Sequence, residues 1–268
     1  LRKYLIAVDL DGTLLTEEKT ISKRTKTVLQ QALNDGHIVV ISTGRPYRAS
    51  KMYYHELGLN TPIVNYNGAF IHHPLNPHWD AKHTPLDNET IKTIFQTCSA
   101  YDLQNIIAEH LDDVYIRNDE PDTVSFFNVG DPKIYKNENL KEELTINPTC
   151  LLIQPRPKDI VSLTQDLFNT HSDQIHHCTW GEPWNIIEVY NPIVNKAYGL
   201  QMIAQDVGAA PEDIIAFGDE ENDIEMLKYA GRGVAMGNAN VKIKSIADDV
   251  TLSNEDDGIA AYLERILV

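Results

Sequence analysis

Hydrophobic and polar positions along the chain fall into two textures. At the start, short apolar runs are each followed by a small-residue loop and then by helical spacing. Tyr4–Val8 is a β-type run that leads into a Gly-containing loop at Asp9–Thr13. Ser22 caps a helical pattern through Val28, Leu29, Ala32 and Leu33, and Gly36 ends it. His37–Ile41 is a second apolar strand, Pro46 opens a helix closed by Gly58, and Pro62–Asn65 is a third strand. The rhythm returns late in the chain: a helix over Asn195–Val207, a strand over Ile214–Phe217, a helix over Asp223–Tyr229, a strand over Gly233–Ala235 and an amphipathic helix over Gly258–Ile266. Strand-loop-helix repetition of this kind predicts parallel strands with crossover helices, hence an α/β sheet.

Between the two stretches the pattern changes. Asp87 caps a helix reaching about Tyr101, and strand-like pieces follow at Leu103–Ala108, Val114–Arg117, Val124–Val129 and Cys150–Gln154. A helix over Lys158–Asn169 and a hairpin-like pair, Gln174–Thr179 with Asn185–Tyr190, complete the segment. This is an α+β texture with strands pairing by hairpins. The chain therefore reads as one core domain, residues 1–81 and 191–268, with a second domain, 82–190, inserted into it.

Composition narrows the classes. The 268 residues carry 23 Lys and Arg against 39 Asp and Glu, a formal charge of −16. Hydrophobic residues at 42% and charged residues at 23% suit a globular chain and exclude wholesale disorder. The acidity argues against nucleic acid, which needs a surplus of Lys and Arg. It should also repel an anionic small molecule unless something local reverses the field. No apolar run approaches a membrane span, and Tyr4–Val8 is too short for a signal peptide. Cys98, Cys150 and Cys178 are odd in number, widely spaced and without a CxxC pair. They read as reduced thiols, and the expected location is cytoplasmic.

Three loops at strand ends carry candidate chemistry. Asp9-Leu10-Asp11-Gly12-Thr13 follows the first strand. Residues i and i+2 at the end of an extended segment point the same way, so the two carboxylates are expected to face one point with Leu10 turned away. A carboxylate pair there could hold Mg²⁺, could divide the work of nucleophile and general acid/base, or could cap an Asp-Gly turn. Ser42-Thr43-Gly44-Arg45 follows the second strand, where a hydroxyl and N–H groups at a helix start form either a phosphate cradle or a plain N-cap. Gly218-Asp219-Glu220-Glu221-Asn222-Asp223 follows Ile214–Phe217, and four acids within five residues repel unless a cation or water neutralises them. Lys196 begins a helix, where a cation is unfavourable unless it faces an anion.

The order and spacing of Asp9/Asp11, Thr43, Lys196 and Asp219/Asp223 resemble the haloacid dehalogenase-like hydrolase superfamily, in particular its Cof-type phosphatases with a C2-type cap. Asn67-Gly68-Ala69, Gly233-Val-Ala-Met-Gly-Asn-Ala, Ser253-Asn254 and Asp257-Gly258-Ile259 also fit that resemblance. It implies a Rossmann-like core with the α+β segment as cap, and a phosphatase acting on small phosphorylated metabolites such as sugar phosphates, flavin mononucleotide or pyridoxal phosphate. Asp9 would be the nucleophile forming an aspartyl-phosphate, and Asp11 the general acid and base. Mg²⁺ would be held by Asp9, the backbone carbonyl of Asp11 and Asp219, with Asp223 close by. Thr43, Lys196 and Asn222, with the N–H groups of Leu10 and Gly44, would bind the phosphoryl oxygens. An acid two residues after the nucleophile separates phosphatases and phosphomutases from the dehalogenases and P-type ATPases of the superfamily.

Two other functions use the same motifs: a phosphosugar mutase that returns the phosphoryl group to a sugar, and a non-catalytic phosphometabolite-sensing module. Retention of both Asp9 and Asp11 argues against the second. His72-His73 and His176-His177 are not expected to share a metal, since neighbours on a strand point apart. Trp180 and Trp184 bracket a Gly-Glu-Pro turn and serve as hairpin packing or as a wall for the leaving group. Lys19, Lys23, Arg24 and Lys26 read as a solvated helix face.

Overall fold

A computed structural model describes residues 2–267, apart from the side chains of Glu142 and Glu143. Contacts divide the chain into two compact units, one formed by residues 1–45, 50–82 and 195–268 and the other by 46–49 and 83–194. No helix among the described residues is long and apolar enough to cross a membrane.

The first unit opens with β1 (Leu5–Val8), α1 (Lys23–Asn34), β2 (Ile38–Ile41) and α2 (Tyr47–Leu57). All four residues of β1 are buried, because a parallel strand in mid-sheet has no solvent face. Ser22 Oγ accepts from the Thr25 N–H at 3.1 Å, which fixes where α1 begins. After β3 (Ile63–Asn65) the chain reverses through a turn at Tyr66–Gly68, with Tyr66 and Asn67 at positive φ. It then pairs back antiparallel as β4 (Phe70–His72), followed by β5 (Lys82–His83). The third strand thus belongs chiefly to a small sheet of its own and meets β2 through a single parallel bridge, Ser42 to Val64.

The inserted unit holds α3 (Asn88–Cys98), β6 (Leu103–His110), β7 (Asp113–Ile116), α4 (Pro121–Phe127), β8 (Ile134–Lys136) and α5 (Leu140–Glu143). It continues with β9 (Cys150–Pro155), α6 (Ile160–His171), β10 (His176–Trp180) and β11 (Ile186–Tyr190). The strands form a mixed sheet in the order β10-β11-β9-β6-β7-β8, antiparallel except for β7 with β8. One face packs on α3 and α6: Ile91, Ile94, Leu163 and Leu167 meet Ile106, Ala108, Ile153 and Ile187. The expected strand over Val124–Val129 is instead part of α4. Pro121 sits at its first turn beside Asp122, and the buried residues Thr123 and Phe127 stand four apart, a helical repeat that outweighs the β-prone side chains.

The chain then supplies α7 (Lys196–Val207), β12 (Ile214–Gly218), α8 (Ile224–Tyr229), β13 (Arg232–Ala235), α9 (Val241–Ile246), β14 (Asp249–Val250) and α10 (Gly258–Ile266) to the first unit. Its main sheet runs β14-β13-β12-β1-β2, parallel throughout. On one face Leu5, Ala7, Val40 and Ala216 pack against Leu200, Ile203, Met226 and Leu227. On the other, Phe217 meets Tyr262 of α10 edge to face at 5.6 Å. This is the α/β core with an inserted mixed-sheet cap.

Candidate active site

Register brings three loops together. Val8 pairs with Ile41 on one side and Phe217 on the other, so Asp9, Ser42 and Gly218 leave the sheet side by side at its carboxyl edge. That edge is where open α/β sheets bind ligands.

Lys196, the first residue of α7, is 1% exposed and donates to Asp9 Oδ1 at 2.6 Å and to Asp223 Oδ1 at 2.7 Å. It reaches this position because Asn195 caps α7, accepting from the Tyr198 N–H at 2.8 Å. Asp223 Oδ2 in turn accepts from the Asp219 and Glu220 N–H groups, which folds the acidic loop back on itself. Asp219 accepts from Thr13 at 2.6 Å and from Asn238 at 3.3 Å. Oxygens of Asp9, Asp219 and Asp223 lie within 4.8 Å of one another, and all three residues are buried. Glu220 and Glu221 stay on the outside, with Glu221 paired to Lys242 at 2.8 Å.

The charges show what this cluster lacks. Three buried carboxylates face one ammonium, so the group is short of two positive charges. Burial pushes Asp9 well above the usual carboxylate range; Lys196 opposes the shift, and Asp223 and Asp219 add to it. Burial likewise lifts Asp219 to about 7, against its hydrogen bond from Thr13 and with Asp223 adding to the rise. Burial would lower Lys196, but Asp223 and Asp9 outweigh it and hold the ammonium charged. Hard carboxylate oxygens with a deficit of two charges suit a small divalent cation such as Mg²⁺, which binds through one or two carboxylates and keeps several waters.

Asp11 does not join the group. After Val8 the backbone stops alternating and turns: the Thr13 N–H donates to the Leu10 carbonyl and the Leu14 N–H to that of Asp9. The Asp11 carboxylate therefore parts from Asp9 and takes a two-pronged contact from Arg45, both bonds at 2.6 Å, with Lys19 at 2.8 Å. Burial would raise Asp11, but the bonds and charge of Arg45, then Lys19, bring it down to about 2.

On the third side, Thr43 is buried, and its Oγ1 accepts from the Arg45 N–H at 3.1 Å. Ser42 Oγ is buried with no hydrogen-bond partner among the described residues. Asn222 donates to Asn67 Oδ1 at 3.0 Å, and the Asn67 amide lies against Gly44, where an added Cβ would come within 3.2 Å of it. The structure thus gathers Asp9, Asp219, Asp223 and Lys196 directly, links Asn222 to Gly44 through Asn67, and turns Asp11 towards Arg45.

Several partners carried no distinct signal in the sequence. Thr13, Asn238, Arg45 and Asn67 lie inside the quoted strings, yet nothing in spacing alone marks whom they bind. Lys19, expected on a solvated helix face, instead precedes α1 in a turn at φ +58° and pairs with Asp11. Arg24 and Lys26 do lie on α1, paired with Glu264 and Glu56. Neither His pair belongs to a cluster able to hold a metal among the described residues.

A parallel core with an inserted mixed-sheet cap, and a buried aspartate-lysine cluster at the sheet's carboxyl edge, define a class that comparison with known proteins identifies. The family model for haloacid dehalogenase-like hydrolases matches residues 6–263, and the chain belongs to that family, in its Cof-type branch of phosphatases with a C2 cap. Among its relatives is the 5-amino-6-(5-phospho-D-ribitylamino)uracil phosphatase YitU of Bacillus subtilis, 44% identical over 98% of this chain and 97% of that one. A second Bacillus subtilis phosphatase of the same description, YcsE, is 32% identical over 97% and 94%. A haloacid dehalogenase-like hydrolase from Bacteroides thetaiotaomicron superposes with a TM-score of 0.84 at 27% identity, covering 98% of this chain and 99% of that one.

Proposed function

We propose that the chain hydrolyses phosphate monoesters of small metabolites in a Mg²⁺-dependent reaction that passes through an aspartyl-phosphate on Asp9. The observation that carries this reading is the buried cluster in which one lysine serves Asp9 and Asp223 with Asp219 alongside. Lys196 holds Asp9 through Oδ1 and leaves Oδ2 free of hydrogen bonds from the described residues, so one oxygen is positioned and the other can attack phosphorus. Asp9, the Asp11 carbonyl and Asp219, with Asp223 close by, would hold the metal. A bound Mg²⁺ supplies a Lewis acid that offsets the repulsion between a carboxylate and a phosphate dianion. Lys196, Thr43, Asn222 and the N–H groups of Leu10 and Gly44 bind the equatorial oxygens, fixed donors that need no reorganisation as charge spreads. Asp11 protonates the leaving oxygen and then takes the proton of the attacking water, for which it must exchange its contacts with Arg45 and Lys19.

The compound named for YitU and YcsE joins a phosphorylated ribityl chain to a planar pyrimidine. It falls within the small-metabolite class and is the first substrate to test. Purified protein should release phosphate from it with Mg²⁺ and not with chelator, and Asp9→Asn should lower turnover by about 10³-fold or more. Isomerised hexose phosphate without free phosphate would point to the mutase, and inertness toward a broad panel of phosphate esters to the sensing module. Either result overturns the reading, as does full activity of Asp9→Asn.

A further inference from the structure

The carboxylate that the proposed reaction needs beside the leaving oxygen is held by a clamp built from three other side chains of the core unit. Arg45 donates to Asp11 through Nε on Oδ2 and Nη2 on Oδ1, both at 2.6 Å, and Lys19 Nζ adds a bond to Oδ1 at 2.8 Å. Those bonds take up most of the lone pairs a carboxylate offers, and both donors are cations. Each cation is itself seated. The Tyr53 ring, 4% exposed, lies 5.6 Å from the Arg45 guanidinium, and Tyr53 Oη donates to the Lys19 carbonyl at 3.0 Å. Lys19 takes a left-handed backbone at φ +58°, which a residue other than glycine keeps only where its surroundings enforce it.

Neither solvation nor loop structure requires this clamp. The Asp11 side chain is 44% exposed, enough for water to solvate its charge. The loop backbone is fixed without that side chain. The Thr13 and Leu14 N–H groups donate to the Leu10 and Asp9 carbonyls, Asp11 bridges to Leu15, and Asn254 Nδ2 donates to the Leu15 carbonyl at 2.9 Å. A partly exposed ion pair also adds little to stability. What a two-pronged guanidinium, a second cation and a buried ring do accomplish is to decide where one carboxylate stands.

From this clamp we infer that Arg45, assisted by Lys19 and seated on Tyr53, is a positioning residue that withholds the general acid, so that bringing Asp11 to the leaving oxygen is a separate step with its own cost. The inference rests on the phosphatase reading. In the first half-reaction a bond forms between Asp9 and phosphorus, the ester P–O bond breaks with its electron pair on the leaving oxygen, and the proton of Asp11 passes to that oxygen. An alkoxide needs that proton as it departs, whereas a nitrophenolate is stable without it. The fraction of molecules in which Asp11 has left the clamp therefore multiplies the rate for alkyl esters and leaves the rate for a nitrophenyl ester nearly unchanged. Arg45 thus sets how strongly the enzyme depends on its leaving group, acting through Asp11 alone.

Two measurements test the inference. The first compares kcat/KM for ribitol 5-phosphate, an alkyl ester, with that for 4-nitrophenyl phosphate, in Mg²⁺. Both carry the same phosphoryl group, so their ratio cancels phosphate binding and reports delivery of the acid. The alkyl-to-aryl ratio should rise about threefold or more in Arg45→Met, and less in Arg45→Lys, which keeps a point charge and loses the fork. Lys19→Met should raise it slightly, since Lys19 makes a single bond from an exposed position. With Asp11→Asn the ratio should collapse, and adding Arg45→Met should no longer raise it. A clamp that only braces the loop predicts a ratio that is unchanged or lower in Arg45→Met, and either result overturns the inference. So does a rise that persists without Asp11. The second measurement needs no turnover: melting temperatures of wild type, Arg45→Met, Asp11→Asn and the double variant form a cycle. Arg45→Met should lower the melting temperature more in the wild type than in Asp11→Asn, and additive shifts overturn the clamp. Failure of the phosphatase reading shows as a wild type inert toward both esters, and failure of the clamp as a flat ratio or an additive cycle.

Discussion

The Lys196 ammonium lies 2.6 Å from Asp9 and 2.7 Å from Asp223 and is 1% exposed, so deleting it strands two carboxylates out of reach of water. Removing one partner of a buried ion pair generally destabilises by about 3–5 kcal/mol, because the remaining charge is uncompensated. Lys196→Met, which keeps most of the volume, should therefore lower the melting temperature by several degrees in chelator and recover part of the loss in Mg²⁺. A melting temperature that is unchanged in chelator would show that Asp9 and Asp223 do not depend on this ammonium. That Lys196 matters was legible in the sequence, because a cation at a helix start is unfavourable without an anion to face. That Arg45 and Lys19 would capture Asp11 was not. The capture depends on the backbone turning between Leu10 and Leu14, and an apolar-polar pattern does not encode where a strand stops alternating.

At the level of elements, the loop after β1 is held by a glycine that nothing else can replace. Gly12 sits at φ +74°, and a Cβ there would lie 2.1 Å from Asp219 Oδ2. Gly12→Ala should both strain the turn and displace the Asp219 carboxylate, weakening Mg²⁺ binding about tenfold or more in calorimetric titration. Wild-type affinity would show that the loop relaxes freely. The two short strands β4 and β5 carry a different signal. Burial, with His73 adding, lowers His72 to about 4, and burial, with His110 adding, lowers His83 to about 4. Folded values below the ordinary 6.5 mean that the unfolded chain binds more protons at acid pH. Stability conferred by these two groups is complete above about pH 6.5 and is lost as pH falls towards 4. Melting temperatures between pH 7.5 and 4 should fall less steeply in the double variant His72→Gln, His83→Gln, and parallel curves would refute the assignment. Element type was readable wherever one period dominated, as in β1 and α10. It failed at Val124–Val129, where β-branched and aromatic residues coincide with a Pro-started helix whose buried positions are four apart. It also missed the turn at Tyr66–Gly68, which depends on positive φ at two residues other than glycine.

The whole molecule carries −16. Residues 82–190 hold 8 basic and 18 acidic side chains, so most of the excess lies outside the core. An anionic ester approaching such a protein meets a repulsive field, reduced but not removed by physiological salt. Inside the site Asp9, Asp219 and Asp223 face Lys196 alone, and without a cation the deficit is met only by protons held on the raised Asp9 and Asp219. Oriented N–H groups contribute only fractional charges, too little to offset a deficit of two. On the proposed reading a divalent cation removes that deficit, and only then would Lys196 and the loop amides present a net attraction to a dianion. Phosphate binding should therefore be conditional on the metal rather than merely strengthened by it. Calorimetric titration with inorganic phosphate should show saturable binding in millimolar Mg²⁺ and no detectable heat in chelator. Raising the salt from 50 to 500 mM in chelator should not restore binding, because screening removes the outer repulsion and leaves the buried imbalance intact. Equal phosphate affinity with and without Mg²⁺ would mean that protons on Asp9 and Asp219 are enough for phosphate to bind and that the metal is not required for it.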